Sequence, residues 1–244
     1  MSTATATYTR YEMLRTFRST RFFIFSLAFP IILYFLVAGP NRDQELGGIS
    51  FPLYYMTGMA AWGSMMAVMA SGARIAGERS VGWNRQLRIT PLPTRVYFRA
   101  KVETGYTMAA LTIGLLYLAG SLLGVRLSAG SWLTMTGLLL VGLVPFAVLG
   151  ILLGHLLTVD SMGPAMGGIT ALFALLGGAW GPIADTGALH AIAQALPSYW
   201  LVQAGHSALD GGGWPLRGWL VIGIWTAVLT RIAVRVYRRD TNRV

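Results

Sequence analysis

The chain has 244 residues, of which 55% are hydrophobic and only 11% are charged, and its mean hydropathy is +0.58. This composition leaves too little polar surface to cover a water-soluble globule, so it predicts a protein of the lipid bilayer. The cations behind the net charge of +10 lie between apolar segments and not along one face, which argues against a nucleic-acid partner, and the lack of cysteine excludes disulfides, thiolate metal sites and cysteine nucleophiles.

Six apolar stretches are long enough to cross a membrane. A helix needs about 20 apolar residues to span a hydrocarbon core of ~30 Å. The candidate spans are Phe22–Gly39, Pro52–Gly72, Thr104–Val125, Trp132–Leu157, Met162–Gly181 and Trp214–Ala233. We therefore expect an all-α integral membrane protein with one transmembrane domain over residues 1–244 and with both ends on the same side.

The distribution of cations predicts which side that is. With a cytoplasmic N-terminal segment, 16 of the 19 cations fall inside and three fall outside. The inside cations are Arg10, Arg15, Arg18, Arg21, Arg74, Arg79, Arg85, Arg88, Arg95, Arg99, Lys101, Arg231, Arg235, Arg238, Arg239 and Arg243, and the outside cations are Arg42, Arg126 and Arg217. This bias places both ends in the cytoplasm. Eighteen arginines against one lysine indicate a GC-rich bacterial genome, so we expect the inner (plasma) membrane of a bacterium.

The cytoplasmic segment before the first span covers residues 1–21. Within it Met13, Leu14 and Phe17 share one arc of a helix, which favours a helix lying along the membrane interface. Arg10 and Arg21 project into the same arc, so the amphipathic pattern is weak unless both side chains snorkel to lipid phosphates.

The second span carries a stripe of large side chains at helical spacing. Its members are Tyr55, Met59, Trp62, Met66 and Met69. One interpretation is a surface that faces the substrate, since thioethers and aromatic rings adapt to irregular apolar shapes. The alternative is helix packing or lipid contact, because every span needs an apolar face.

A cytoplasmic loop over residues 74–101 follows this span. The part from Gly77 to Lys101 holds six of the 19 cations. Gly82 permits a turn, Trp83 to Ile89 could form two helical turns, and the prolines of the next segment, residues 90–93, would end them. The loop could serve only to fix topology by holding cations inside. The alternative is a short rigid helix that docks a soluble partner.

Glycines predict close packing of the spans. Four pairs have small-xxx-small spacing, which lets helix backbones approach each other. They are Gly120 and Gly124, Gly150 and Gly154, Gly163 and Gly167, and Gly177 and Gly181.

The outside region between spans five and six, residues 182–213, contains no lysine or arginine. Residues 188–196 and 199–209 favour two short helices interrupted at Pro197. Tyr199 and Trp200 are amphipathic rings of the kind found at membrane interfaces.

Residues suited to catalysis or metal binding are scarce. His155, His190 and His206 show no metal-ligand spacing, and no acidic residue lies centrally in a predicted span. We therefore expect no metal site, and the missing intramembrane acids argue against ion coupling.

Two parts of the chain resemble the membrane subunit of ABC-2 type transporters, the permeases of drug, antibiotic and polysaccharide exporters. After span two that family has an acidic-basic pair, a glycine, a leucine and a Thr-Pro-Leu-type segment before a basic Ala-Lys. The matching residues here are Glu78, Arg79, Gly82, Leu87, Thr90, Pro91, Leu92, Ala100 and Lys101. Many relatives have Gly-Thr and a glutamate where this chain has Gly82-Trp83 and Gln86. The second likeness is a Pro-x-Tyr-Trp-like element with glycine-rich flanks, here at Pro197 to Trp200.

The resemblance implies an architecture and a set of site residues. It implies six transmembrane helices with an N-terminal interfacial helix, a cytoplasmic coupling helix and an extracellular re-entrant helical hairpin between spans five and six, whose residues Pro197, Tyr199 and Trp200 would form an outer gate. The implied contacts to an ATPase are Glu78, Arg79, Gly82, Arg85, Leu87, Arg88, Thr90 and Pro91.

The chain lacks the sequence of an ATPase. A Walker A loop needs Gly-Lys-Ser/Thr, and the only lysine, Lys101, follows Ala100. We expect a non-catalytic chain without a cofactor, beside two copies of a separate ABC ATPase that binds ATP and Mg²⁺, and a second permease copy or paralogue.

Three functions remain open. The first is a permease subunit of an ABC exporter that moves a lipophilic substrate, such as an antibiotic, a drug or a lipid-like molecule, out of the cell. The second is a proton-coupled secondary transporter, disfavoured by the missing buried acids. The third is a membrane enzyme or assembly factor, disfavoured because no nucleophile-base or metal constellation occurs.

Overall fold

The structure, a computed structural model, describes residues 3–20, 24–46, 48–83, 86, 89–90, 93–183, 186–209 and 212–242, without the side chains of residues 3–6, 25 and 240–242. These parts are mostly helical. The elements are α1 (Thr3–Phe17), a π-helical turn (Ile24–Ala28) that continues into α2 (Phe29–Ala38), β1 (Glu45–Leu46), β2 (Ile49–Ser50), α3 (Phe51–Ser80), α4 (Thr94–Leu122), α5 (Ala129–Gly142), α6 (Val144–Leu156), α7 (Val159–Gly177), α8 (Ala188–Gln194), α9 (Pro197–Leu209) and α10 (Leu216–Asn242). The two strands pair antiparallel, with Leu46 opposite Ile49.

Four helical stretches of the described residues are long and apolar enough to cross a membrane. They are Thr94–Leu122, Ala129–Leu156, Val159–Gly177 and Leu216–Arg239. The first expected span corresponds to a shorter apolar helix, Ser26–Ala38. The second corresponds to α3, whose 30 residues give the required length but whose Gly, Ser and Thr content lowers its hydropathy.

Helix α3 is the centre of the bundle. Its side chains are buried along most of its length, and α2, α4, α6, α7 and α9 all pack against it. The backbones of α3 and α6 lie in close contact, because a Cβ atom added at Gly150 would lie 2.4 Å from the carbonyl oxygen of Met69 and one at Gly154 would lie 2.5 Å from that of Gly72. The predicted role of the Gly150 and Gly154 pair in tight helix packing is confirmed. Gly163 and Gly167 instead have no neighbour within 4 Å of such an atom.

Prolines divide two of the apolar stretches. Pro30 has no N–H group to donate to the carbonyl oxygen of Ser26 on the preceding turn. That oxygen instead accepts a hydrogen bond from the Thr112 hydroxyl at 3.3 Å. Pro145 lies at the start of α6, and the stretch expected as one continuous span is broken at Leu143.

The helices reach further than the expected spans. Helix α3 runs to Ser80 and α4 begins at Thr94, so the non-helical connection is shorter than the predicted loop over 74–101. Residues 74–80 and 94–101 continue the helices because they contain no glycine in a turn conformation and no helix-interior proline. Between residues 186 and 209 two short helices occur as expected, with Pro197 as the first residue of α9, a position that proline favours.

Candidate functional site

The only lysine of the chain lies buried between two carboxylates. Lys101 Nζ on α4 lies 2.6 Å from Glu12 Oε1 on α1 and 2.5 Å from Glu78 Oε1 on α3. The relative exposures of the lysine and the two glutamate side chains are 0%, 5% and 2%. Three helices that are distant in sequence are therefore joined at one ammonium group. We call Glu12, Glu78 and Lys101 the ion cluster.

Neighbouring side chains complete the pairing of both carboxylates. Arg15 Nη1 lies 3.0 Å from Glu78 Oε1, and the Tyr97 hydroxyl donates to Glu78 Oε2 at 2.5 Å. Arg74 lies 3.9 Å from Glu12 Oε1 and donates to the Thr16 hydroxyl. Each oxygen of Glu78 thus has a donor.

The flanking arginines offset the negative charge of the ion cluster. The ion cluster alone would bury a net charge of −1, which is costly in a medium of low dielectric constant. Arg15, which is largely exposed, and Arg74, which is mostly buried, add positive charge at its edge. Removal of Lys101 would leave two buried carboxylates without the ammonium between them, so this residue holds α1, α3 and α4 in one geometry.

Two tyrosine rings pack beside the ion cluster. The ring of Tyr8 packs 6.3 Å from that of Tyr97, and Lys101 Nζ lies 5.3 Å from the centre of the Tyr97 ring. Burial, followed by the negative charges of Glu12 and Glu78, raises the pKa of the Tyr8 phenol well above its usual value. Tyr8 therefore stays neutral at physiological pH.

Arg79 connects the end of α3 to the end of α6. Its guanidinium donates to the carbonyl oxygens of Gly154 at 3.2 Å and of His155 at 2.5 Å. These carbonyls belong to the last turn of α6, where backbone acceptors lack partners within the helix and favour a cation. The rings of His155, Phe98 and Tyr237 pack edge to face or tilted beside this turn, at centroid distances of 5.2–6.0 Å, and so join α6, α4 and α10.

The residues predicted to contact an ATPase are divided between the bundle and the connection after α3. Glu78 and Arg79 make the internal contacts described above, while Gly82, with φ +70°, and Thr90 are exposed. Arg85, Leu87, Arg88 and Pro91 lie outside the described residues. Sequence reasoning did not identify Glu12 or assign a partner to Lys101. The one available signal was a single lysine among eighteen arginines.

The stripe on α3 lies inside the bundle. Tyr55, Met59, Trp62 and Met69 are buried, and Met66 is partly buried. Trp62 packs edge to face on Phe29 at 5.6 Å and on Trp180 at 5.3 Å. Within one chain these side chains make packing contacts, and their role toward substrate stays a prediction.

The residues predicted to form an outer gate anchor the α8–α9 hairpin. Pro197 and Trp200 are buried, and the indole of Trp200 donates to the carbonyl of Gln194 at 3.0 Å. Tyr199 is partly buried and packs edge to face on His190 at 5.9 Å. The hairpin lies at the end of α3 opposite the ion cluster, because Tyr54 contacts it and lies 24 residues, or roughly 36 Å of helix, before Glu78.

This end of the bundle contains a cavity of about 230 Å³. His190 and His206, sixteen residues apart in sequence, both line it, although their spacing gave no indication of a shared site. Across the residues that the structure describes, no group of three or more His, Cys, Asp or Glu side chains could hold a metal ion.

Comparison with known proteins gives one informative match. The chain is 31% identical over 235 residues to a Bacillus subtilis (strain 168) protein named "Putative transport permease YvfS", and the match covers 94% of this chain and 95% of that protein. Neither a family profile nor a solved structure matches the chain.

Proposed function

Because the chain belongs to the ABC-2 type transport permeases, a family of membrane proteins, we propose that it is the membrane-spanning subunit of an ATP-binding cassette exporter. In this proposal ATP and Mg²⁺ bind to a separate ATPase subunit present in two copies. A second permease, identical or paralogous, completes the assembly. The substrate is a lipophilic molecule, such as an antibiotic, a drug or a lipid-like compound.

The proposed topology has six spans with both ends in the cytoplasm. The four long apolar helices support four of these spans. Helix α2 and helix α3 supply the other two, and α3 is accommodated at the centre of the bundle, where neighbouring helices cover its less apolar surface. With this topology the ion cluster and the basic end of α10 face the cytoplasm, in line with the positive-inside bias.

The position of the ion cluster supports the proposed coupling mechanism. The ion cluster joins α1, α3 and α4 directly beside the connection between Ser80 and Thr94. A force applied to that connection by an ATPase would reach α3 and α4 together, because Lys101 and Glu78 pair them. It would also reach α1 through Glu12. The coupling role predicted for Glu78 and Arg79 therefore acts through helix packing, while the exposed residues between them and α4 make the contact.

The proposed substrate path follows the centre of the assembly toward the outer hairpin. Alternation of the α8–α9 hairpin, whose two helices are joined by the hydrogen bond from Trp200 to Gln194, would open and close the outer side. The stripe on α3 contributes to this path only if helix movement exposes it, since four of its five side chains are buried in one chain.

A second candidate is proton-coupled transport. It is favoured by the two carboxylates of the ion cluster, whose burial the sequence did not indicate. Both carboxylates, however, are paired with cations and lie together at one end of the bundle. A protonophore distinguishes the two functions, because it would abolish proton-coupled export in cells and leave ATP-driven export in vesicles supplied with ATP.

The direct test is co-purification of this chain with an ABC ATPase expressed in the same cells. Arg85→Glu and Arg88→Glu should weaken the complex and reduce ATP-dependent export, since each reverses a charge in the segment proposed to dock the ATPase. Arg42→Glu and Arg126→Glu make the same change on the opposite side and serve as controls. Full complex formation and full export with both Arg85→Glu and Arg88→Glu would exclude the proposed docking surface.

A further inference from the structure

The cavity at the hairpin end has an uncharged polar lining. Helices α3, α7, α8 and α9 and strand β1 form its walls. No arginine, lysine, aspartate or glutamate lines it among the residues that the structure describes. The polar groups that face it come from two imidazoles, the Gln203 amide and two phenols, alongside glycines at the end of α7.

Some of these polar groups have no hydrogen-bond partner. The Gln194 amide nitrogen, which can only donate, lies 2.6 Å from His190 Nε2, so this atom accepts and the ring proton is on Nδ1. His190 Nδ1 is buried and makes no hydrogen bond within the described part of the chain. Gln203, which is partly buried, also lines the cavity. Buried donors of this kind normally find a partner, and a ligand can supply one.

Other polar groups are already used and fix the shape of the cavity. The Tyr54 hydroxyl donates to the carbonyl oxygen of Gly178 at 2.8 Å, which ties α3 to the end of α7. The rings of Tyr54 and Tyr199 pack edge to face on the imidazoles of His206 and His190. Two aromatic surfaces are thus held in place beside His190 Nδ1.

These features select a class of ligand. An ion would lose its hydration without gaining a counter-charge, which is unfavourable in such a lining. A purely apolar group would leave the buried His190 Nδ1 unpaired. The volume is below the range of about 300–1,000 Å³ typical of sites for whole drug-sized ligands. The best fit is a compact neutral group that carries both hydroxyls and C–H surface.

We propose that this cavity binds the uncharged, hydroxylated ring of an amphiphile, such as a sugar head group, on the outer side of the membrane. The assignment of the outer side and of the amphiphile as transported cargo rests on the proposed function. The binding itself requires neither an ATPase nor transport.

The test uses the full chain in phosphatidylcholine nanodiscs and methyl β-D-glucoside as the probe, with saturation-transfer NMR as the readout. The expected dissociation constant is on the order of 1 mM, from the usual affinity per atom of small ligands. Gln203→Leu and His190→Phe, on two different helices, should each weaken binding about tenfold. Gln86→Leu makes the same change at an exposed position near the ion cluster and should leave binding unchanged. Thermal melting of each variant identifies any that fails to fold, and one folded variant suffices.

Several results would overturn the proposal. The first is equal binding of the glucoside by the folded variants and by the Gln86→Leu control. The second is tighter binding of tetramethylammonium or methyl phosphate than of the glucoside. The third is displacement of the glucoside by Zn²⁺ alone at micromolar concentration. In a second arm, nanodiscs contain a glucosyl diacylglycerol. Competition with the soluble probe there identifies a bilayer lipid as a source of the ring, and lack of competition identifies a diffusing molecule. Loss of ATP-dependent export with intact glucoside binding would count against the proposed function alone.

Discussion

Lys101 Nζ lies 2.6 Å from Glu12 Oε1, although the two residues are 89 positions apart in the chain. The contact joins the N-terminal helix α1 to α4, which follows the connection that we propose docks an ATPase. Because both groups are buried, the pair resists exchange with water and fixes the angle at which α1 packs.

Replacement of Lys101 by methionine should lower the free energy of unfolding by about 3–5 kcal/mol, because Glu12 and Glu78 would then face each other without the ammonium. Thermal unfolding in detergent measures this loss. Arg95→Met, on the exposed face of the same helix, is the matched control and should change stability by less than about 0.5 kcal/mol. Equal melting temperatures for the two variants would contradict the ion cluster.

Glu12→Gln should loosen α1 without unfolding the bundle. The neutral amide keeps the shape of the side chain but removes one charge from the pair with Lys101. Helix α1 should therefore detach more often, so that its backbone at the exposed residue Arg18 unfolds and can enter the active site of trypsin. We expect cleavage at Arg18 to be roughly tenfold faster, which corresponds to about 1.4 kcal/mol of lost local stability. Glu45→Gln, on the exposed strand β1, should leave the cleavage rate unchanged, and the same rate in both variants would argue against this anchoring.

Gly150→Ala and Gly163→Ala should have opposite effects on stability. A methyl group at Gly150 would lie 2.4 Å from the Met69 carbonyl oxygen and would force α3 and α6 apart, at a cost of about 1–3 kcal/mol. At Gly163 nothing lies within 4 Å, so alanine should be neutral or stabilise α7 by up to about 1 kcal/mol. Melting temperatures that fall equally in the two variants would contradict the close α3–α6 contact.

Arg79→Gln should uncouple ATP hydrolysis from transport. The substitution shortens the side chain and removes the charge that binds the carbonyls of Gly154 and His155, so the end of α3 would no longer move with α6. We expect the complex with the ATPase to form normally while export per ATP hydrolysed falls several-fold. Export and hydrolysis measured together in vesicles provide this ratio, with Arg95→Gln as the control. An unchanged ratio would remove Arg79 from the coupling mechanism.

Trp62→Ala and Met66→Ala separate packing from substrate contact. Trp62 is buried against Phe29 and Trp180, so its truncation should cost about 3–5 kcal/mol of stability. Met66 is only partly buried, so its replacement should cost less and should change substrate preference if the α3 stripe lines the path. Identical transport profiles for Met66→Ala and the unmodified chain would leave the stripe as a packing surface.

Much of the helical layout follows from local sequence. The length of each apolar run predicts a helix, and the helices α2, α3, α4 and α7, together with the joined α5–α6 stretch, occur where these runs are. Proline also acts locally, so the interruption near Pro197 could be predicted. The break at Leu143 was missed because Pro145 lies inside a run whose hydropathy otherwise indicated one continuous helix.

The contacts that make up the candidate site depend on packing and could not be predicted in this way. Glu78 follows an apolar run and was expected to face the cytoplasm, yet α3 continues through it and turns its carboxylate toward Lys101. Nothing near Glu12 in sequence indicates that it is buried, since its partner comes from another helix. His190 and His206 line one cavity for the same reason, because α8 and α9 fold back on each other.

The sequence by itself determined that the chain belongs in a bilayer, where most helices lie and which segments are basic, because hydropathy, helix length and charge are properties of consecutive residues. Only the tertiary structure decided that the single lysine pairs two glutamates, that glycines bring α3 and α6 into contact and that two histidines share a cavity. These relationships join residues 16 to 89 positions apart, and their free energy arises only when packing removes the groups from water.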